Sequence, residues 1–247
     1  MSNSLEGKIA VVTGGSTGIG LGIAKRFVSE GATVVITGRR QAELNAAVAE
    51  IGDKASSVQA DVSSLSDLDG LYETVAKRHG RIDVLVANAG GGSLMKLGEI
   101  TEEHYDTTFA INVKGVLFTV QKALPLMQQG GSIIVTGSTT SIMGTEAFSV
   151  YSGTKAAIRN FVRSWILDLK GSGVRVNVLS PGPIDTPALR GVADQAPGLI
   201  EHFSTVVPLG RIGDPDETGK AAVFLASDAS SFVNGAELFV DGGLAQV

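Results

Sequence analysis

Short apolar runs rich in valine and isoleucine alternate with amphipathic stretches along nearly the whole chain. The apolar runs are continuous, which is typical of parallel strands that are covered on both faces. Strands are predicted at residues 10–13, 33–37, 57–60, 84–88, 132–136, 175–179 and 237–240, and helices at residues 19–29, 41–51, 66–79, 102–127, 152–170 and 216–226. The alternation predicts an α/β fold, a doubly wound parallel sheet of about seven strands with helices on both faces and ligands at the carboxyl ends of the strands.

One segment departs from this alternation. Residues 181–208 hold most of the prolines and show no clear periodicity. Connections of this length usually act as lids or are disordered. The apolar side chains of Leu189 and Phe203 favour a short helical lid at about 186–207. No linker, repeat or second hydrophobic unit is visible elsewhere, so residues 1–247 are predicted to form one domain.

Composition and charge narrow the class of protein. A hydrophobic content of 43% and a mean hydropathy of +0.23 allow a sizeable core. The absence of cysteine excludes disulfides and thiolate chemistry, and the three histidines lack the spacing of metal ligands, so no metal site is predicted. A net charge of −5 and a pI near 5.2 argue against nucleic acid or an anionic membrane as a partner. The amino-terminal segment has no signal-peptide or membrane-span pattern, so a cytoplasmic location is expected.

A glycine-rich segment, TGGSTGIG at residues 13–20, follows the first predicted strand and opens the first helix. Glycines permit a tight turn and a close approach to a pyrophosphate, and the helix amino terminus adds unpaired N–H groups. A dinucleotide cofactor is therefore predicted here, although the spacing is G-x-x-x-G-x-G and a plain structural turn is the alternative. The predicted contacts are Gly14, Ser16, Thr17, Gly18, Ile19 and Gly20.

The end of the second strand indicates which cofactor is bound. An acidic residue there accepts a hydrogen bond from the adenosine ribose 2′-hydroxyl, whereas an arginine accommodates a 2′-phosphate. This chain has Arg39 and Arg40 at that point and no carboxylate. Because a guanidinium pairs well with phosphate, NADP(H) is favoured over NAD(H); a solvated pair at a helix start is the alternative.

Two further turns lie at the carboxyl ends of predicted strands. Asp61 and Val62 follow the third strand, where the carboxylate could accept a hydrogen bond from an adenine amino group. Asn88, Ala89 and Gly90 follow the fourth strand, where small residues let the backbone run beside a ribose. Each signal is weak by itself, because aspartate and asparagine are ordinary turn residues.

Tyr151 and Lys155 are candidates for acid/base chemistry. They are four residues apart at the start of a helical run, so their side chains share one face. A tyrosine with an ordinary pKa of about 10 is a poor base. A neighbouring ammonium, together with the positive charge of an oxidised nicotinamide, would lower that pKa and make Tyr151 a general acid/base. An ordinary polar helix face is the alternative.

Two other polar side chains stand at informative positions. Ser138 closes the fifth strand, where its hydroxyl could polarise a substrate oxygen. Asn112 lies between apolar neighbours in the long helical run. A buried amide needs partners, and either a water-linked proton path or a satisfied helix kink would supply them.

Together these features resemble the short-chain dehydrogenase/reductase family over almost the whole chain. The segment TGGSTGIG is similar to the family's cofactor loop, and ANAG at residues 87–90 is similar to its NNAG motif with alanine replacing the first asparagine. The segments PGPIDT at residues 181–186 and FVDGG at residues 239–243 are also typical. The family's Asn-Ser-Tyr-Lys tetrad falls on Asn112, Ser138, Tyr151 and Lys155. Its contacts to the nicotinamide carboxamide fall on Pro181, Gly182, Ile184 and Thr186.

The resemblance implies a Rossmann-like fold and an NADP(H)-dependent oxidoreductase that acts on a carbonyl or a secondary alcohol. In that family Tyr151 would donate the proton and Ser138 would hold the carbonyl oxygen. Lys155 would also bind the nicotinamide ribose, and Asn112 would order a water relay. Members are commonly tetramers, so a homotetramer is expected.

The substrate is less well indicated. The candidate pocket residues are Ser93, Leu94, Thr140, Phe148, Ile184, Leu189 and Phe203. They suggest a mainly apolar site for a neutral small molecule. A 3-oxoacyl-[acyl-carrier-protein] reductase is the alternative, but Gln128, Gln129 and the 171–173 segment stand where such enzymes tend to have basic residues. A non-catalytic NADP(H) sensor is a further alternative, which the intact tetrad disfavours.

Overall fold

A computed structural model describes residues 3–194 and 197–247, and its centre is a seven-stranded sheet. The strands are β1 (Ile9–Thr13), β2 (Thr33–Gly38), β3 (Ala55–Gln59), β4 (Ile82–Ala87), β5 (Met127–Thr136), β6 (Arg175–Pro181) and β7 (Glu237–Val240). Their order across the sheet is β3-β2-β1-β4-β5-β6-β7, and every neighbouring pair is parallel. The predicted doubly wound parallel sheet is confirmed.

The helices connect successive strands. They are α1 (Gly18–Ser29), α2 (Gln41–Ile51), α3 (Leu65–His79), α4 (Glu102–Phe109), α5 (Val116–Ala123), α6 (Ser149–Asp168), α7 (Pro187–Ala193), α8 (Leu199–Val206) and α9 (Pro215–Ala226). No helix in the described ranges is long and apolar enough to cross a membrane.

Helices cover both faces of the sheet, as the continuous apolar strands predict. Alternate residues of a strand point to opposite faces. Val11 of β1 joins the buried cluster that includes residues of α3, α5 and α6, whereas its neighbours Ala10 and Val12 join the cluster that includes residues of α1 and α9. The sheet therefore lies between two cores.

The prediction of one continuous helix at residues 102–127 is wrong in its middle and at its end. A π-helical segment, Ala110–Gly115, separates α4 from α5, and a short 3₁₀ helix, Leu124–Leu126, ends the run. Proline 125 lacks the N–H that a continuing α-helix needs, and β5 begins at Met127 instead of residue 132. The other predicted boundaries shift by a few residues, which is usual at helix and strand ends.

The segment predicted as a lid contains α7 and α8, joined in part by residues 195 and 196, which lie outside the described residues. Neither helix has a fully buried side chain. A closing motion of this segment stays a prediction.

Candidate active site

The glycine-rich turn between β1 and α1 leaves little room for side chains. Gly14 has a φ of +64°, in the left-handed region that favours glycine. A Cβ at Gly20 would lie 2.2 Å from the Gly14 carbonyl oxygen. The turn thus brings unencumbered backbone and the α1 amino terminus to the carboxyl edge of the sheet, beside the point where the chain order reverses between β1 and β4.

The predicted cofactor residue Asn88 holds this turn in place. Its amide Nδ2 donates to the carbonyl oxygens of Thr13 at 3.0 Å and Gly14 at 3.2 Å, and its Oδ1 accepts from Thr136 at 3.2 Å. The Thr13 hydroxyl accepts from the backbone N–H groups of Asn88 and Ala89. These bonds join the ends of β1, β4 and β5, so the Asn88 side chain is engaged within the protein.

The two predicted arginines have different surroundings. Arg40 forms an ion pair with Glu43 in the first turn of α2. No hydrogen bond or ion pair of the Arg39 guanidinium is found in the part of the chain that the structure describes. Arg39 instead lines a cleft of about 570 Å³ at the edge of the sheet, and a Cβ at the neighbouring Gly38 would be 3.3 Å from the Ser16 hydroxyl. Ser16 therefore lies against the end of β2, next to the exposed Arg39.

Asp61 lines the same cleft, whereas Val62 is buried in the core. One carboxylate oxygen of Asp61 accepts from the N–H and the hydroxyl of Ser63, at 2.9 and 2.7 Å. The backbone N–H of Asp61 donates to Asp67, and this bond is the main reason that the pKa of Asp67 is lowered. Asp61 is thus fixed in a turn at the cleft wall.

Tyr151 and Lys155 meet on the first turns of α6, as their spacing predicts. The Lys155 ammonium lies 5.5 Å from the centre of the Tyr151 ring and donates a 2.8 Å hydrogen bond to the Thr136 carbonyl oxygen. Burial raises the pKa of Tyr151 to about 12, and a hydrogen bond with Ser138 opposes that rise. Burial lowers the pKa of Lys155 to about 8. In the protein alone, burial therefore raises the pKa of Tyr151, whereas the sequence predicts a lowered pKa. That prediction also counts on the positive charge of an oxidised nicotinamide.

Asn112 is fully buried in the π-helical segment. Its Oδ1 accepts from the Gly91 N–H at 3.0 Å, and its Nδ2 donates to the Gly91 carbonyl at 2.8 Å and the Thr154 hydroxyl at 3.1 Å. The side chain thereby ties the 90–92 loop to α6 next to Tyr151. Single π turns are frequent at functional sites, and here one turn aims a buried amide at the loop.

The 181–186 segment reaches the glycine-rich turn. A Cβ at Gly182 would be 2.7 Å from Asp241, and Ile184 is 4% exposed and pairs with Gly213. Thr186 caps α7 by accepting from the Leu189 N–H, and its methyl group would lie 3.2 Å from a Cβ at Gly18. The structure thus brings the predicted contacts at the end of β6 next to those of the first turn.

Two residues pack on the Tyr151 ring: Phe148, which the sequence predicts as a pocket residue, and Gly92, which it does not. The Phe148 ring stacks on the Tyr151 ring at 4.3 Å between centres. Gly92 also packs closely on Tyr151, because an added Cβ there would lie 2.6 Å from a ring carbon of Tyr151. Gly92 is the last of three consecutive glycines, and nothing in the sequence distinguishes it from the other two. Of the predicted pocket residues, Leu94 is half exposed, and the Ser93 hydroxyl lies 3.4 Å from His104 Nδ1.

We expect Gly92→Ala to lower kcat by roughly tenfold or more, because the methyl group displaces the Tyr151 ring from its position and small misplacements of a catalytic group are costly. Gly91→Ala is the matched control, since a Cβ there meets nothing within 4 Å. Steady-state kinetics of both variants provide the measurement. Equal rates for the two variants would contradict a close contact between Gly92 and Tyr151, the acid/base that the sequence predicts.

Comparisons with known proteins place the chain in a family. It matches the family model described as enoyl-(acyl carrier protein) reductase over residues 14–245. It is 50% identical over 246 residues to Oxidoreductase asL5 of Sarocladium schorii, with 98% of each chain covered. It is 38% identical over 260 residues to an NADP-dependent (R)-specific alcohol dehydrogenase of Lentilactobacillus kefiri, again covering 98% of each chain. A crystal structure of a short-chain dehydrogenase/reductase from Brucella melitensis, described as a glucose/ribitol dehydrogenase, matches with a TM-score of 0.93 and 32% identity over 99% of both chains.

The sheet, the turn and these relatives define one class of protein. The chain belongs to the short-chain dehydrogenase/reductase family. It is an oxidoreductase of the kind that acts on CH–OH or carbonyl groups with a nicotinamide cofactor.

Proposed function

We propose that the protein transfers a hydride between NADP(H) and a carbonyl or secondary alcohol substrate, with Tyr151 as the general acid/base. The observation that carries this proposal is the grouping of Tyr151, Lys155 and Ser138 at the carboxyl edge of the sheet, beside the glycine-rich turn. Asn112 joins the group as the residue that holds the adjoining loop.

The residues present fit a dinucleotide. A Cβ at Gly14 or Gly20 would collide with Ala89 or with the Gly14 carbonyl oxygen, so only glycine lets the turn be this tight and keep the α1 amino terminus clear for a pyrophosphate. Ser16 and Arg39 would hold a 2′-phosphate, and the segment from Pro181 to Thr186 would border the nicotinamide. Asp61 would border the adenine, with Val62 contributing only backbone because its side chain is buried in the core. When bound, the nicotinamide supplies or accepts the hydride.

The chain's own part in the reaction is the movement of one proton. In reduction, Tyr151 donates its hydroxyl proton to the carbonyl oxygen, and a pKa of about 12 keeps it protonated at neutral pH. Ser138 donates a hydrogen bond to the same oxygen as negative charge develops on it. In oxidation the tyrosine must lose its proton first, and the positive charge of Lys155 favours the phenolate. Asn112, fixed between Gly91 and Thr154, would keep a water path to solvent open beside them.

Initial rates of NADPH and of NADH oxidation test this proposal directly. The panel would contain acetophenone, 2-octanone, benzaldehyde and acetoacetyl-CoA. Turnover with NADPH that the Tyr151→Phe variant lacks is the expected result. Turnover that survives in this variant would contradict the role of Tyr151.

We expect Arg39→Ala to weaken NADPH binding by about tenfold to a hundredfold and to leave NADH binding nearly unchanged, because a charge-assisted hydrogen bond to phosphate is lost. Arg40→Ala should lose less, since that guanidinium already pairs with Glu43. Arg78→Ala on α3 controls for net charge. Fluorescence titration with both cofactors gives the dissociation constants, and equal losses for NADPH and NADH would show that Arg39 does not contact the 2′-phosphate.

A 3-oxoacyl carrier-protein reductase is the second candidate, because the chain is 36% identical over 245 residues to a 3-oxoacyl-[acyl-carrier-protein] reductase of Thermotoga maritima. Its acidic partner would need free basic residues. Lys122 pairs with Asp69, and Arg175 donates to the carbonyl oxygens of Leu225 and Ser227, so both are engaged. A clear preference for acetoacetyl-CoA over the simple ketones would favour this candidate.

The assembly and location are proposed on separate grounds. We infer that residues 1–247 act as one cytoplasmic domain, with residues 186–207 as its lid, and that four copies assemble. Support for assembly comes from an apolar cleft of about 510 Å³ on the outer face of α4 and α5, lined by Phe109, Val113 and Leu117 among others. Sedimentation velocity at micromolar concentration tests it, and a monomer there would contradict the tetramer.

A further inference from the structure

The Ser138 hydroxyl is held in one orientation by a residue two positions along the chain. Its oxygen accepts a 3.2 Å hydrogen bond from the Thr140 N–H and a 3.0 Å hydrogen bond from the Thr140 hydroxyl. A serine hydroxyl has two acceptor positions and one hydrogen to donate. Both acceptor positions are taken, so the hydrogen is left for a third partner. A hydroxyl whose hydrogen is left in this way can donate it to a substrate oxygen.

Thr140 is in turn fixed by a contact to the far edge of the sheet. It lies in the 3₁₀ turn Thr139–Ser141, which closes with a 3.0 Å hydrogen bond from the Ser141 N–H to the Ser138 carbonyl. The Ser141 hydroxyl donates to Glu237 Oε1 at 2.9 Å. Glu237 is the first residue of β7, and its side chain is only 11% exposed. The turn that carries Thr140 is therefore anchored to β7.

Glu237 has further partners that lock its carboxylate in place. The Ser180 hydroxyl donates to the same oxygen at 2.8 Å, and Arg159 Nε donates to the other oxygen. Ser180 can reach this position because residue 137 is glycine, where a Cβ would come within 2.3 Å of the Ser180 hydroxyl. Arg159 lies one helical turn beyond Lys155 on α6. The carboxylate thus joins β6, β7, α6 and the turn after Ser138.

We propose that Glu237 is a positioning residue for the reaction, which acts through Ser141 and Thr140 to hold the Ser138 hydroxyl as a hydrogen-bond donor. The inference rests on the proposed role of Ser138. A carboxylate this deeply placed is costly without partners, and three separate elements supply them here: the turn with Ser141, β6 with Ser180 and α6 with Arg159. Donors that act on one hydroxyl oxygen strengthen the hydrogen bond which that hydroxyl gives. Loss of the anchor should therefore weaken donation by Ser138 without removing any group that contacts substrate.

The ionisation of Tyr151 reports on this donation. A hydrogen bond donated by Ser138 stabilises the phenolate, so its weakening raises the pKa of Tyr151. The ring contacts the Lys155 ammonium and the uncharged Phe148 and Gly92. Thr140→Val and Ser141→Ala change no charge, so with the lysine retained a change in the titration of Tyr151 in these two variants can be assigned to Ser138. Replacement of Glu237 also leaves the Arg159 guanidinium unpaired, and that charge acts on the tyrosine in the opposite direction.

The experiment is NMR titration of the full chain, labelled with ¹³C at the tyrosine Cζ, with NADP⁺ added. The chain has three tyrosines, and the Tyr151→Phe spectrum identifies the signal. Ser138→Ala sets the full effect. Thr140→Val, Ser141→Ala and Glu237→Ala are expected to shift the ionisation equilibrium in the same direction, by about twofold to tenfold for a single hydrogen bond. Glu237→Gln keeps an oxygen for Ser141 and should restore most of the wild-type titration.

The control is Asp216→Ala, which breaks a comparable ion pair with Arg26 between α1 and α9. It should lower Tm and leave the Tyr151 titration unchanged. A shift in Ser138→Ala with wild-type titration in Thr140→Val, Ser141→Ala and Glu237→Ala would overturn the positioning role alone. A wild-type titration in Ser138→Ala would overturn the proposed role of Ser138 itself. If Glu237→Ala does not fold, Ser141→Ala and Thr140→Val decide the question.

Discussion

Replacement of Tyr151 by phenylalanine is expected to lower kcat for carbonyl reduction by about a thousandfold, within the range that general acid catalysis usually contributes. The substitution removes the hydroxyl and keeps the ring. The stacking on Phe148 and the packing against Gly92 are therefore preserved. Cofactor affinity should change by no more than about twofold, since uniform binding is retained while a transition-state interaction is lost.

The measurement is kcat and KM at pH 7 for the fastest ketone, alongside the NADPH dissociation constant. Tyr105→Phe is the matched control, because Tyr105 is 46% exposed on α4 and stacks on Phe109 away from the turn. That variant should keep wild-type rates. A Tyr151→Phe variant with more than about a tenth of the wild-type kcat would mean that another group supplies the proton.

Much of the fold is encoded locally and could be predicted. Continuous valine and isoleucine runs identify buried parallel strands because both faces of such strands lie under helices. The exception was the 102–127 run. There the apolar periodicity continues across the π-helical segment. A π turn holds one residue more than an α turn, and the sequence pattern gives no sign of that residue. The long start of β5, with its polar Gln128 and Gln129, carries no apolar signal at all.

The candidate site also contains residues that could be predicted from the sequence and residues that could not. Residues whose chemistry is set by a short motif, such as Tyr151 and Lys155, could be predicted because one helix turn brings them together. Glu237 could not be, since it lies 96 positions from Ser141 and only the sheet order makes them neighbours. The cofactor contact at Asn88 stays a prediction, and the bonds of its amide to the turn could not be predicted because they join residues 74 and 75 positions apart.

We expect Lys155→Met to lower the rate of alcohol oxidation at pH 7 by about a hundredfold or more, because the phenolate of Tyr151 loses its cationic neighbour. Without the lysine, the remaining activity should rise with pH as the tyrosine ionises unaided. The pKa of about 12 set by burial places this rise well above neutral pH. The measurement is a pH–rate profile with NADP⁺ and 1-phenylethanol, and a residual rate that stays flat with pH would contradict this role for Lys155.

The same substitution should not destabilise the fold at neutral pH, which separates its catalytic effect from a structural one. Burial lowers the pKa of Lys155 to about 8, so the folded chain binds fewer protons than the unfolded chain between that pH and the ordinary lysine value. Stability therefore rises with pH across this window in the wild type, and at pH 7 the buried charge costs about 3 kcal/mol. Methionine removes this cost, offset in part by the lost hydrogen bond to Thr136.

The control is Lys114→Met, which loses an exposed lysine bonded to the Ser63 carbonyl. Thermal melting at pH 7 and pH 10 should show the Lys155→Met advantage only at pH 7; a large loss of Tm at pH 7 would mean that the lysine serves the fold.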